Sequence, residues 1–248
     1  RLAPVKRHLL ALSALERARV RVPDLGVDVV GDGRRVDDEQ AVDLVVGPQS
    51  YHRLPELEAR ARAGERALHT EFDEDKFAAL PERRRKRAPS AFLTVQEGCD
   101  KFCTYCVVHM TRGPEQGRPH KEILDEAGVL ADQGCKELTL LGQTVNSYRF
   151  ANGDGRVTRL SDLLHALHDI EGLERIKFVT NYPKHMSEDL LLAVRDLEKV
   201  SPYLHVPAQS GSDRVLKRMK RYYRRDQYLA MVAYARAHIP DVTFSSIL

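Results

Sequence analysis

Three cysteines lie close together near the middle of the sequence, at Cys99, Cys103 and Cys106. Their spacing, with three residues and then two between them, places three thiolates on one tight loop. Three thiolates can bind three irons of a four-iron, four-sulfur (4Fe-4S) cluster and leave the fourth iron open to a ligand. Two other uses of the cysteines stay open at this point. Cys103 and Cys106 could bind zinc together with His109, or two of the cysteines could form a disulfide.

The residues around these cysteines resemble a known signature. The pattern CxxxCxxC, with an aromatic residue such as Tyr105 directly before the last cysteine, resembles that of the radical S-adenosylmethionine (SAM) superfamily. The resemblance implies that the open iron binds the amino and carboxylate groups of SAM. It also implies that an electron from the cluster breaks a carbon–sulfur bond of SAM and gives a 5'-deoxyadenosyl radical. The protein would position the cofactor, tune it and exclude water.

Three blocks of sequence narrow the resemblance to the methylthiotransferases that modify transfer RNA. The first block surrounds the cysteines, and the other two are residues 140–148 (LLGQTVNSY) and 205–213 (HVPAQSGSD). The resemblance runs from about residue 42 to residue 248, and it is strongest between residues 92 and 213. The sequence is most similar to the branch that makes 2-methylthio-N6-dimethylallyladenosine.

This resemblance implies a reaction and a set of partners. A methylthio group would be added to carbon 2 of N6-dimethylallyladenosine, presented unpaired from a tRNA anticodon loop. An electron donor such as flavodoxin or ferredoxin would be needed. Three alternatives stay open: a methylthiotransferase for threonylcarbamoyl-adenosine tRNA or a ribosomal protein, a radical SAM enzyme without a sulfur-donor cluster, and a zinc-stabilised RNA-binding module.

The family's amino-terminal domain carries three further cysteines, which bind a second 4Fe-4S cluster associated with the transferred sulfur. Residues 1–98 contain no cysteine, and Asp32 lies where the third of these cysteines is expected. Two others would precede Arg1, and the last barrel strands and an RNA-binding domain would follow Leu248. An aspartate is a poor substitute for a thiolate on iron. We therefore expect this chain alone to be inactive in sulfur insertion, while cleavage of SAM stays expected.

Composition sets limits on location and partners. The chain has 248 residues, 42% of them hydrophobic and 30% charged, with a net charge of +3. It is only mildly basic, so affinity for RNA must come from local patches. No apolar run approaches the roughly 18 residues of a membrane helix, and no signal peptide is recognised. The four cysteines, three of them clustered, favour a reducing cytoplasm, and we expect a monomer.

The sequence predicts an α/β protein in two parts joined by a basic linker. Residues 1–75 predict a small open α/β sheet domain, with helices over 4–19 and 54–67 and strands over 26–30 and 42–46. Residues 76–90 form the linker. Residues 91–248 predict a partial parallel (β/α) barrel, truncated at its carboxyl end. Its predicted strands are 92–96, 137–141, 176–180, 203–206 and 242–247, and its predicted helices are 121–133, 160–169, 187–197 and 227–238.

Active sites of parallel barrels lie at the carboxyl ends of the strands, and the motifs named above fall there. The resemblance predicts seven cofactor-binding residues in addition to the three cysteines: Tyr105, Gln143, Thr180, Asn181, His205, Gln209 and Arg221. Asn146, beside Gln143, could contact a ligand or stabilise a turn. Tyr105 could equally be a packed loop aromatic, and His205 a structural hydrogen-bonding residue. Cys135, at the opposite end of the second strand, is predicted to be a core residue.

Two strongly basic stretches could contact RNA phosphates. Residues 82–87 (ERRRKR) could do so or form a solvated linker. Residues 217–225 (KRMKRYYRR) combine six positive charges with two tyrosines, which suits phosphate contacts together with stacking on unpaired bases. Their alternative is an exposed helix end.

Overall fold

The protein is described from a computed structural model, which covers residues 27–28, 44–47, 50, 53–69, 77 and 88–247. The predicted helix over 4–19, Asp32 and the basic residues 82–87 lie outside these ranges. The chain divides into two compact units. The first is residues 1–82 with 110–112, and the second is residues 83–109 with 113–248. The predicted domain limits, at residues 75 and 91, stay a prediction.

The first unit contains a small parallel sheet and one helix. Strands β1 (Val27–Asp28), β2 (Leu44–Val46) and β3 (Ala67–His69) pair in that order. Helix α1 (Leu54–Arg62) packs Leu57 and Ala61 against β2 and β3. This helix is shorter than the predicted 54–67, because the chain turns at Gly64 with a φ of +84° and then enters β3.

The second unit is built around a three-stranded parallel sheet. Strand β7 (Glu137–Leu141) lies between β4 (Ser90–Thr94) and β10 (Arg175–Phe178). Two long crossovers connect these strands, as parallel pairing requires. Helix α3 (His120–Asp132) lies in the first crossover, and helix α4 (Leu160–His168) lies in the second. Strands β11 (Tyr203–His205) and β12 (Thr243–Ser245) form a separate parallel pair.

The remaining described elements of this unit are short strands and three further helices. They are β5 (Gln96–Glu97), β6 (Gln116–Gly117), β8 (Arg149–Ala151), β9 (Val157–Arg159), α5 (Glu188–Asp196), α6 (Asp213–Arg218) and α7 (Arg225–His238). Helix α2 (Val108–Thr111) begins in this unit, and its last two residues are grouped with the first unit. The predicted α/β class is confirmed, and all five predicted barrel strands are present. The predicted strands over 92–96, 176–180, 203–206 and 242–247 each end one or two residues earlier than expected. In residues 88–247 the parallel strands form sheets of three and two strands without closing a barrel.

Alternate residues of the central sheet form the core. Leu93, Leu138 and Leu140 are fully buried between the helices, together with Ile176 and Phe178 of β10. Cys135 belongs to this core, as predicted, and its Sγ donates a hydrogen bond to the Glu137 carbonyl at 3.2 Å. None of the helices in the described part of the chain is long and apolar enough to cross a bilayer.

Candidate metal centre and cofactor site

The three cysteines lie on a loop whose two ends are held together. Strands β5 and β6 pair antiparallel on either side of the loop, and the Cys99 amide donates to the Gly113 carbonyl at 3.2 Å. All three thiols are free. Cys103 is the most enclosed, with 7% of its surface exposed, while Cys99 and Cys106 are half-buried. The pairing of β5 with β6 therefore closes the loop, and three thiols lie on one short stretch of backbone.

Buried Gln96 connects this loop to the segment after β7. Its Nε2 donates to the Gly98 carbonyl at 2.8 Å, and its Oε1 accepts from the Thr144 amide at 3.3 Å. A Cβ on Gly142 would lie 2.4 Å from the same Oε1, so only glycine allows this close approach. The ends of β4 and β7 are thus joined through one side chain, which fixes where the cysteine loop begins.

An ion pair inside the loop adds a second connection to the same segment. Lys101 Nζ lies 3.0 Å from Glu115 Oε2, and the Thr144 hydroxyl donates to that oxygen at 3.1 Å. Both charged side chains are largely buried, at 12% and 17% exposed. Sequence reasoning missed this cluster, because nothing in the spacing of the three residues brings them together.

The basic segment after α6 is bonded directly to the cysteine loop. The Thr104 amide donates to the Met219 carbonyl at 3.2 Å, and the Thr104 hydroxyl donates to the Arg218 carbonyl at 3.1 Å. Arg221 Nη1 donates to Cys103 Sγ at 3.3 Å. A stretch more than 100 residues away in the chain therefore lies against the middle of the loop.

Three of the predicted cofactor-binding residues present buried polar atoms without a partner. Within the described residues, Gln143 Oε1, Asn181 Oδ1 and Arg221 Nε make no hydrogen bond. An unsatisfied buried polar group costs about 1–3 kcal/mol, so a ligand that bonded to these three atoms would be favoured. His120 Nδ1 and Gln133 Oε1, outside the predicted site, also make no hydrogen bond within the described residues. Two acceptors and one cationic donor suit a small molecule that carries amino or hydroxyl groups and a carboxylate.

Asn181 and His205 are brought together at the ends of neighbouring strands. The backbone amide and Nδ2 of Asn181 donate to the His205 carbonyl at 3.2 and 3.0 Å. The ring of His205 is oriented by Ser245, whose Oγ lies 2.7 Å from His205 Nδ1. The structural hydrogen bond of this histidine is therefore present, and its predicted role toward a cofactor stays a prediction.

Two predicted site residues have unusual backbone conformations. Thr180 and Gln209 both have a φ of +66°, which is rare for residues other than glycine and costs most for a β-branched side chain. The Thr180 hydroxyl donates to the Gly142 carbonyl at 2.5 Å, and the Gln209 amide donates to the Ile247 carbonyl at 2.8 Å. The positive φ of Thr180 also explains why β10 ends at Phe178, before the predicted residue 180. Such strain is concentrated at functional sites.

Asn146 has the structural role that the sequence left open. Its Oδ1 accepts from the Tyr182 amide at 2.7 Å, and its Nδ2 donates to the Tyr182 carbonyl at 2.9 Å. The side chain is buried, so it connects the segment after β7 to the segment after β10. Both ends of the amide therefore bond to the backbone of Tyr182.

We expect N146A to lower the free energy of unfolding by about 2–4 kcal/mol, because both buried backbone groups of Tyr182 lose their partner. Urea unfolding followed by circular dichroism measures this change. The matched control is N152A, since Asn152 makes one side-chain hydrogen bond, to Thr158 at 2.9 Å in the β8–β9 hairpin. We expect N152A to cost under about 1 kcal/mol. Equal losses in the two variants would contradict this role of Asn146.

The arrangement of the thiols bears on which group they bind. In the part of the chain that the structure describes, no three His, Cys, Asp or Glu side chains converge closely enough to hold one metal ion. His109 instead packs its ring on Phe102, with centroids 5.1 Å apart. A 4Fe-4S cluster needs its thiolates at three separate corners, and not around one ion. Three thiols on one loop are the donor set of a 4Fe-4S cluster with one open iron, and Arg221 lies beside one of them.

Comparison with known proteins identifies the class. Residues 93–248 match the family described as the radical SAM superfamily, and the chain belongs to this superfamily. The predicted superfamily is thus confirmed. This superfamily implies SAM and a 4Fe-4S cluster.

Curated relatives show which branch of the superfamily the chain is similar to. The chain is 52% identical over 242 residues to a tRNA-2-methylthio-N(6)-dimethylallyladenosine synthase of Roseobacter denitrificans, covering 94% of this chain and 55% of the relative. It is 47% identical over 250 residues to the synthase of Bartonella tribocorum, covering 94% of this chain and 55% of the relative. The predicted resemblance to this branch is confirmed, and the chain spans about half the length of the curated relatives it matches.

Solved structures support the fold. TsrM of Kitasatospora setae, a radical S-adenosylmethionine methyltransferase, matches with a TM-score of 0.58 and 14% identity, covering 82% of this chain and 44% of TsrM. OxsB, a cobalamin-dependent S-adenosylmethionine radical enzyme, matches with a TM-score of 0.51 and 18% identity, covering 62% of this chain and 23% of OxsB. At these identities the similarity concerns the fold alone.

Proposed function

We propose that this chain belongs to a tRNA methylthiotransferase that adds a methylthio group to carbon 2 of N6-dimethylallyladenosine in anticodon loops. The observation that carries the proposal is 47–52% identity, over most of the chain, to curated synthases of that modified nucleoside. The cysteine loop supports it, since carbon 2 is an unactivated aryl position that acid–base or nucleophilic groups do not attack.

Cys99, Cys103 and Cys106 would hold three irons of the cluster. When bound, the cluster and SAM together supply the radical chemistry that removes hydrogen from an unreactive carbon. The residues of the chain would bind the cluster and SAM and orient them. Arg221 Nε, buried without a partner, can donate to a carboxylate, and the Gln143 and Asn181 oxygens can accept from amino or hydroxyl groups.

The other predicted cofactor residues surround these three. Tyr105 is 44% exposed beside the cysteines, so its ring is available to stack on an adenine. Thr180 and Gln209 would present backbone groups from their strained positions. His205, held by Ser245, would contribute its ring to the same site.

Residues 217–225 would contact tRNA phosphates near the cysteine loop. Lys217, Arg218 and Lys220 are exposed, and Tyr222 is 57% exposed and able to stack on a base. We further propose a monomer in the cytoplasm that receives electrons from flavodoxin or ferredoxin. Its organisation would be an amino-terminal domain over 1–75, a linker over 76–90 and the radical SAM domain over 91–248.

Mass spectrometry of tRNA tests the reaction. In a strain that lacks the gene, we expect N6-dimethylallyladenosine to accumulate in place of its 2-methylthio form. The wild-type gene should restore the methylthio group, and a gene carrying C103A should not. Loss of the methylthio group from threonylcarbamoyl-adenosine instead would contradict this substrate. An unchanged tRNA together with an unmodified ribosomal protein would contradict tRNA as the target.

A second candidate is a radical SAM enzyme of the same branch without a sulfur-donor cluster. It is favoured by one observation, that residues 1–98 contain no cysteine and Asp32 lies where one is expected. The tRNA of the complemented strain separates the two. A methylthio group restored by the gene supports the methylthiotransferase. Its absence, in a protein that still binds about four irons per chain, supports the enzyme without a sulfur-donor cluster.

A further inference from the structure

The Arg221 side chain lies directly against one of the cysteines. Its Nη1 donates to Cys103 Sγ at 3.3 Å, and Cys103 is the most enclosed of the three thiols. The guanidinium lies 4.7 Å from the centroid of the Tyr182 ring and 5.4 Å from that of Tyr223. Arg221 therefore lies over both tyrosine rings while it donates to the sulfur.

The two tyrosines are themselves fixed. Their rings meet edge to face at 5.8 Å, and both are buried. Tyr182 Oη accepts from the Tyr222 amide at 3.0 Å, and Tyr223 Oη donates to the Ala208 carbonyl at 2.6 Å. A cation over aromatic rings is attracted by them, and more strongly when it is desolvated, so these contacts keep the guanidinium in place.

The backbone beside Arg221 is also attached to the cysteine loop. Thr104, the residue after Cys103, bonds through its amide to Met219 and through its hydroxyl to Arg218. The hydrogen bond to Cys103 is thus one of three between the same two segments. The position of the guanidinium relative to the sulfur is set by the fold and not by a flexible side chain alone.

We propose that Arg221 is a positioning residue that donates a charged hydrogen bond to the Cys103 thiolate and raises the reduction potential of the cluster. Reduction adds one negative charge to the cluster, and a hydrogen bond or positive charge at a ligand sulfur stabilises that charge. The inference rests on the proposed cluster site. It differs from a contact with the cofactor's carboxylate, because Nη1 serves the sulfur while Nε stays available to a ligand.

The midpoint potential of the cluster, titrated without SAM, tests the proposal. At a fixed potential, we expect R221Q to lower the ratio of reduced to oxidised cluster about tenfold, which is a shift of about 59 mV for one electron. R221K, which keeps the charge but loses the guanidinium fork, should shift in the same direction by less. The matched control R218Q removes an exposed charge from the same segment and should leave the ratio within about twofold.

The outcomes separate this inference from the proposed function. A wild-type protein that assembles no cluster contradicts the proposed function. A cluster that assembles in R221Q with the wild-type potential, or that shifts equally in R218Q, overturns the role of Arg221 alone. If R221Q assembles no cluster, R221K decides, and a wild-type potential in that variant overturns the proposal.

Discussion

Each of the substitutions C99A, C103A and C106A should lower the iron content of protein prepared without oxygen from about four atoms per chain to a small fraction of one. Three thiolates are the minimum that holds three corners of the cluster, and no other cysteine lies on the loop. With two thiolates, two irons would lack protein ligands and the cluster would be lost. Iron and sulfide analysis, together with the brown absorbance of the protein, measures this effect.

C135A is the matched control for these three variants. Cys135 is also a reduced cysteine, but it is buried in the core before β7, and its Sγ bonds to the Glu137 carbonyl. We expect its iron content to equal that of wild type and its stability to fall by about 1 kcal/mol. Full iron content in C103A, or iron loss in C135A equal to that in C103A, would contradict the assignment of the cluster to residues 99–106.

G98A should destabilise the protein by about 3 kcal/mol and impair cluster assembly. Gly98 precedes Cys99 and has a φ of +77°, which costs other residues about 1–2 kcal/mol. A Cβ there would lie 1.9 Å from the Pro114 carbonyl oxygen, so the backbone on one side of the loop would have to move. Overpacking of this kind adds about 1–3 kcal/mol. Urea unfolding and iron analysis of the same preparation measure both effects.

G128A gives the matched control for G98A. Gly128 lies inside helix α3, and a Cβ there meets no atom within 4 Å. Alanine in a helix interior is favoured over glycine by about 1 kcal/mol, so G128A should stabilise the protein slightly and leave the iron content unchanged. A G98A variant as stable as wild type would show that the cysteine loop does not depend on this close approach.

Periodicity predicted the second unit well because its elements follow local rules. The buried strand over 137–141 was predicted from its apolar residues, and β7 has those bounds. Helix ends and strand ends were less accurate where backbone conformation decided them. The strand predicted over 176–180 ends at Phe178, because Thr180 adopts a left-handed conformation that no apolar pattern reveals.

The candidate site, like the fold, was predicted only in part from the sequence. The spacing of the cysteines and the three matched motifs identified the thiols and the superfamily from the sequence. The sequence allowed Asn146 either a contact with a ligand or a structural role. Its two hydrogen bonds to Tyr182 show the structural role. It did not reveal Lys101 and Glu115 as an ion pair in the cysteine loop.

The sequence alone determined the superfamily to which this chain belongs, because three thiols within eight residues are placed by the local chain and need no distant partner. Only the tertiary structure decided what surrounds them. Arg221 meets Cys103 across 118 positions of the chain, and Thr144 meets Glu115 across 29. Contacts at such separations depend on how strands and crossovers pack, and residue spacing carries no record of them.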